Sequence, residues 1–437
     1  MLYHNTKFRF ALADGAPPEI RGGIIAASAM QSGQLVRRLR GDIRKWPYLQ
    51  HRLFDPQLYL CGLDKNISRK VVANLATQPW FGSHSVPAYD SSQHGSMKQY
   101  RDAHEQDLVD SWLGHPLEDE GEIEEAIRAC VEFQIELGCE GVILPSPLTT
   151  MATLGYEQET TWLDIGARIC RDLRTAVPVY ATVALSDIVL RGVPAFKNPL
   201  LETITTQVAS RSELAGAYVV IEQSVDSGYA CTSRDTLVSL LAIADDLKRG
   251  ASRQVLVNYI GTFGAVLSAV GVSIWASGYY RGQRRLRLAD YEDTMGLAQP
   301  RFFSPTLLGD IGLETDLPLA YAKGYGKSVI GQPTIQSTAL MVALEAATYP
   351  ASTPQWQYRT GNLTAATAHY LAANDAIGNW FDSLEPSRRI DHVHRCLKKA
   401  AKLANELAAF GMKPPYSDTS HQSIWLAAFE EWQKERP

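Results

Sequence analysis

Apolar positions along the chain recur with two periods, and the clearest case lies at 253–287, RQVLVNYIGTFGAVLSAVGVSIWASGYYRGQRRLR. A β-branched run at 254–260, a short helical pattern at 262–270 and a second apolar run at 272–276 predict a strand, a crossover and a strand. Gly261 opens the crossover and Gly271 closes it. So short a connection suits the end of a parallel barrel.

Upstream, the same alternation predicts strands at 21–30, 51–60, 141–144, 178–184 and 217–222. Helices are predicted at 34–45, 68–81, 97–113, 157–175, 200–212 and 234–248. Asp119 and Glu122 have the spacing of a capping box for a further helix ending near Leu137. A polar, turn-rich insertion at 82–96 leaves one strand to be sought at 86–89. Strands separated by helices imply a parallel sheet. The expected fold is therefore an α/β (β/α)8 TIM-like barrel over 1–290. An irregular, Pro/Gly-rich connector at 291–331 and a C-terminal helical domain at 332–437 are expected to follow it.

Composition narrows the class. With 437 residues, 45% apolar and aromatic residues and 20% charged, the chain is that of an ordinary globular protein. A net charge of −5 argues against non-specific coating of nucleic acid, which draws on a basic surface. The six cysteines are scattered without a CxxC and read as reduced thiols. MLYHNTKFRF has no apolar leader core and no segment reaches membrane-spanning length, so a cytoplasmic protein with no membrane partner is expected. Zinc-ligand sets, phosphate-binding loops and nucleophile elbows are missing, and no cofactor or metal is expected.

Candidate chemistry falls at the predicted strand ends, where a barrel carries its site. Asp55, in FDPQLYL, is held extended by Pro56 and reads either as a general base or as a turn aspartate. Glu222 ends the apolar run AYVVIEQ, where desolvation raises an acid's pKa; a salt bridge to a barrel neighbour is the alternative. Gln57, Ser146, Asp187, Gln223 and Gly261 are candidate substrate-binding residues, Ser146 equally well placed in a stiff loop between Pro145 and Pro147. Tyr279, Tyr280, Arg281, Arg284, Arg285 and Arg287 combine aromatic faces with positive charge, as nucleic-acid grooves do, although basic runs are also common on solvated faces. Asp391, His392 and His394 lack further ligands at metal spacing and read as surface residues.

The order of these motifs resembles the tRNA-guanine transglycosylase superfamily, whose members exchange a base in tRNA and whose relatives act on DNA. GGIIAASAMQSGQLV is similar to that family's first strand and helix. FDPQLYL resembles its second-strand segment, whose general acid/base aspartate falls on Asp55. GEIEEAIRACVEFQIELGCEGVILPS resembles the approach to its base-recognition aspartate, with Pro145 or Ser146 at that place. AGAYVVIEQ resembles its glycine-rich sixth strand, and NYIGTFGAVLSAVGVSIWASGYYRGQR its final strand–helix–strand. The likeness covers roughly residues 20–290.

Two departures change what the resemblance implies. The family's last strand ends in Phe-Asp, and that aspartate attacks the sugar; Trp275-Ala276 stands here. The family's downstream zinc motif is missing. Without a carboxylate to hold the sugar, water would capture it, activated by Asp55 or Glu222, so that base exchange becomes base excision. The expected function is an N-glycosidic bond hydrolase, DNA glycosylase-like, which excises a flipped and modified base from DNA rather than tRNA, for example in anti-phage defence. The alternatives are a non-catalytic nucleic-acid or nucleotide binding module, a transglycosylase with an atypical nucleophile, and an unrelated barrel hydrolase of a phosphorylated small molecule.

Overall fold

A computed structural model describes residues 2–5, 22–29, 31–33, 35–36, 51–61, 69–84, 89–104, 119–150, 156–224, 229–278, 281–291, 299–357 and 363–436. Eight parallel strands are β1 (Leu2–Asn5), β2 (Gly22–Ala26), β3 (His51–Asp55), β4 (Val142–Ile143), β5 (Val179–Ser186), β6 (Gly216–Glu222), β7 (Gln254–Val257) and β8 (Ile274–Gly278). They follow the order β3-β2-β1-β8-β7-β6-β5-β4.

This order corrects the expected closed (β/α)8 barrel. Strands β4–β8 form a five-stranded parallel half-barrel, β1–β3 extend it past β8, and β3 and β4 remain edges. One backbone hydrogen bond, from Glu140 N–H to the Arg52 carbonyl at 3.0 Å, spans the gap in place of a ladder. The reason is local. Strand β4 holds only two residues, because Pro145 and Pro147 follow directly and offer no N–H for pairing.

The strand sought at 86–89 lies largely outside the described residues, and Tyr89 is not in a strand. The strand between β2 and β8 is instead β1, which pairs Tyr3 with Gly23 and Leu2 with Ala276. The helix expected at 34–45 falls mostly outside the described residues.

Strands β5 and β6 are buried at every position, so they read as continuous apolar runs rather than alternating ones. Helices α1 (Arg69–Leu75), α2 (Met97–Ala103), α3 (Glu120–Glu136), α4 (Glu157–Asp172), α5 (Pro199–Ala209) and α6 (Arg234–Asp245) connect them. Their starts follow capping chemistry. Asp119 accepts from Glu122 N–H at 2.9 Å, and Asn198 precedes Pro199 at the first turn of α5. The crossover helix α7 (Phe263–Leu267) ends one 3-10 turn before Gly271, which takes φ 93°.

From residue 299 on, the segment expected to be irregular holds regular elements. An antiparallel hairpin, β9 (Arg301–Ser304) with β10 (Gly309–Gly312), precedes α8 (Asp316–Ala322), α9 (Gly326–Ile330) and α10 (Ile335–Glu345). Its apolar residues Phe302, Ile311 and Leu317 build a second core with Trp356, Leu403 and Leu407. Helices α11 (Thr364–Ser383), α12 (Pro386–Ala409) and α13 (Gln422–Glu435) complete the chain. Val393, Leu397, Trp425 and Phe429 of α12 and α13 join the main core beneath the sheet. Trp425 donates its indole N–H to the Cys231 carbonyl at 2.8 Å and meets Phe263 edge-on at 5.1 Å.

All six cysteines are free thiols, five of them buried. Among the described residues, no helix is long and apolar enough to cross a membrane.

Candidate active site at the carboxyl ends of the strands

Asp55 is the last residue of β3 and is wholly buried. Four phenols and one amide surround it. Tyr59 and Tyr218 donate to Asp55 Oδ2 at 2.6 and 2.8 Å, Tyr259 lies at 3.4 Å, and Gln57 N–H donates to Oδ1 at 3.1 Å. Tyr291 reaches the cluster through Tyr259 and Gln57.

Burial raises the Asp55 pKa, the donors from Tyr59, Tyr218, Gln57 and Tyr259 pull it back, and it stands at about 6. Such a carboxyl holds a proton below neutrality. Once ionised, its anion is received by ready-made donors.

The cage is itself braced. Gln57, with φ 53°, donates to Tyr259 Oη at 2.8 Å and accepts from Ser28 N–H at 2.8 Å. Asn258 donates to Tyr218 Oη at 2.8 Å and accepts from Tyr259 N–H at 2.8 Å. Tyr259 takes φ 59°, a left-handed conformation uncommon for an aromatic residue. Gln223 holds that backbone by donating to the Tyr259 carbonyl at 3.0 Å, and its own buried Oε1 has no hydrogen-bond partner.

A second acidic group lies nearer the strand ends. Glu222 is 7% exposed and accepts from Ser186 Oγ at 2.8 Å. Burial raises its pKa and the neighbouring Asp187 charge adds to this, against the Ser186 hydrogen bond and Arg191. Asp187 is engaged by Arg191 at 2.7 Å and by Ser224 at 2.6 Å. Glu159 of α4, with its pKa raised by burial, accepts from Thr149, whose backbone bridges to β5.

Asp55 and Glu222 share no hydrogen-bond partner. Glu222 lies four residues beyond Tyr218 on one strand face, about 13 Å farther toward the carboxyl end. The site is thus a buried carboxyl in a phenol cage, with a second buried carboxyl farther along β6. No protein-family model and no curated protein matches the chain.

The predicted site residues therefore divide. Asp55 and Gln57 meet in the cage, Gln223 touches its wall, and Glu222 and Asp187 form the upper cluster. Ser146 is buried, and its hydroxyl faces the Pro147 carbonyl at 3.4 Å. Gly261, φ 57°, faces Arg284 rather than Asp55, across a cavity of about 30 Å³ shared with Tyr370 and Asp418.

Three arginines of the predicted rim are engaged in ion pairs. Arg281 pairs with Asp310 and Asp418 at 2.8 Å, Arg284 with Asp310 at 2.9 Å, and Arg285 with Asp290 at 2.8 Å. Arg284 also lies 3.3 Å over the Tyr370 ring, and Arg285 is 3% exposed. Arg281 and Arg284 bind the C-terminal region to the sheet, because their acidic partners arrive from the hairpin and from the loop before α13, whereas Arg285 pairs within its own segment. Arg287 buries its Nε, and Tyr279 and Tyr280 lie outside the described residues.

His394 pairs with Glu430 at 2.8 Å, and among the described residues no group of three or more His, Cys, Asp or Glu could hold a metal ion. The tyrosines were the missed residues. Each sits in an apolar strand or beside one, where a phenol needs a partner for its hydroxyl, and that need was the available signal.

Proposed function

We propose that the protein hydrolyses the N-glycosidic bond of a nucleotide flipped out of a nucleic-acid strand, releasing a free, modified base. The observation that carries this reading is Asp55, a carboxyl with a pKa of about 6 at the floor of a phenol cage. The resemblance of its motif order to that of the transglycosylase superfamily supports it.

A nucleotide that leaves its stack enters base first, so the base meets the deep acid and the sugar stays near Glu222. The C1′–N bond breaks with its electron pair passing to the base nitrogen, which takes the Asp55 proton. The phenol and amide donors then hold the Asp55 anion. Water gives a proton to Glu222 and its oxygen to C1′; Glu222 then passes that proton to solvent and Asp55 takes one from solvent, which restores the site. The net change is the addition of one water. Ala276, buried and paired with Leu2, carries no atom able to attack the sugar, which favours hydrolysis over base exchange.

The test is release of free base from modified and unmodified DNA, from tRNA and from free nucleosides, with abasic sites scored by alkali cleavage. Base release is expected from at least one modified DNA, and Glu222→Gln is expected to lower it by roughly 10²–10⁴-fold. Absence of base release from every substrate would remove the proposal.

A further inference from the structure

Arg281, Arg284 and Arg285 are engaged in internal ion pairs, which leaves less free charge there for a nucleic-acid strand. Helix α12 offers such charge. Arg388, Arg395, Lys399 and Lys402 are exposed at spacings of seven, four and three, which places them within about 60° of arc on one face. The stripe is about 21 Å long at the helical rise. Arg388, Arg395 and Lys399 make no ion pair among the described residues, and Lys402 has only a 3.9 Å contact with Glu406. Asp391 and Glu406 are the acidic residues of that face. The opposite face, Val393, Leu397, Ala400 and Ala404, is buried in the fold, so the helix is anchored and its basic side is free.

Beside the stripe opens a cavity of about 610 Å³, within the range that encloses a small organic ligand. Lys399 and Cys396 line it from α12, Ile377 and Trp380 from α11, and Pro333 and Leu308 from the loops. Trp380 is 43% exposed and stands edge-on to His392 at 5.8 Å. An exposed indole bordering a cavity and a row of unpaired cations joins the two elements that hold single strands: a face on which a base stacks and charges that track phosphates.

We infer that α12 and the Trp380 cavity form a single-strand nucleic-acid interface, with phosphates along Arg388, Arg395, Lys399 and Lys402 and one unpaired base against Trp380. The choice of ligand rests on the proposed action on nucleic acid. Leu308 lines both this cavity and the small one at Gly261, so the surface adjoins the carboxyl end of β7.

The experiment is fluorescence anisotropy of a labelled single-stranded 20-mer with the full chain across a salt series. Arg395→Gln/Lys399→Gln/Lys402→Gln is expected to weaken binding about 10–100-fold and to reduce the salt slope by about 2. Trp380→Ala is expected to weaken it about ten-fold, with Trp380→Phe restoring most of the affinity. Binding unchanged in the triple variant, or wild-type binding to anionic phospholipid vesicles but to no oligonucleotide, would overturn the inference. The two readings fail separately. Wild-type binding of the 20-mer that the triple variant loses supports the interface even if no base is ever released, and the triple variant should keep any turnover of a free nucleoside.

Discussion

Asp55→Asn should abolish base release and, in the same protein, flatten the dependence of stability on pH. The activity loss follows from removing the proton donor and is expected to be at least about 10²–10⁴-fold. The stability effect follows from linkage. Asp55 rises from 3.8 to about 6 on folding, so the folded state binds its proton more tightly than the unfolded chain does.

Below pH 3.8 the group is neutral in both states and contributes nothing. Between 3.8 and 6 the unfolded chain ionises while the folded protein does not, and stability falls as pH rises. Above 6 the loss levels off at about 3 kcal/mol. Asparagine carries no such term. The difference in unfolding free energy between Asp55→Asn and wild type should therefore shift by about 2.4 kcal/mol in favour of the variant from pH 4 to pH 8. A fixed offset from an altered hydrogen bond to Gln57 N–H does not affect that shift. Denaturant titrations at the two pH values read it directly, and a constant difference would mean that Asp55 ionises in the fold much as it does in the unfolded chain.

Asp310→Asn should destabilise the protein by about 3–5 kcal/mol, because it strands the buried Arg284 guanidinium and leaves Arg281 with Asp418 alone. Asp310 is 3% exposed, accepts from Arg284 at 2.9 Å and forms an ion pair with Arg281 at 2.8 Å. Burial alone would raise its pKa; Arg284, Arg281 and Arg301 outweigh burial and hold it below the ordinary 3.8. Its contribution is consequently present above pH 3.8 and is lost as pH falls through the lowered value. Replacing Arg284 and Asp310 together by Met and Leu should recover much of the loss, since a packed apolar pair carries no stranded charge. An unchanged unfolding midpoint in Asp310→Asn would show that the hairpin is not fastened to the sheet through this cluster.

The same cluster marks where sequence reasoning reached its limit. Strands β2–β8 were legible because each is an apolar run bounded by turn residues. β1, with only LYHN, is too short to show a period, and it takes its place solely by pairing with β2 and β8. Closure of the sheet was not legible either, since it depends on how many residues β3 and β4 can set against each other, and the prolines after β4 leave two. The hairpin at 301–312 was hidden by its Pro and Gly content, although Phe302 and Ile311 are core residues.

Within the site, Asp55 and Glu222 were legible as acids at strand ends. Their separation was not, because it follows from the position of Tyr218 four residues before Glu222. The arginines read as a basic rim from local sequence alone. Their partners Asp310 and Asp418 stand 26 residues from Arg284 and 137 from Arg281, a distance over which no local pattern carries information.

The most direct test of Asp55 as the acid that serves the leaving base is the pH profile of kcat/KM for base release on whichever substrate turns over. The predicted profile falls as pH rises through about 6, as Asp55 loses its proton, with an acidic limb set by Glu222. A rate that is flat or rising from pH 5.5 to 8 would contradict the assignment, because the ionised Asp55 would then be competent and the phenol cage would have another purpose.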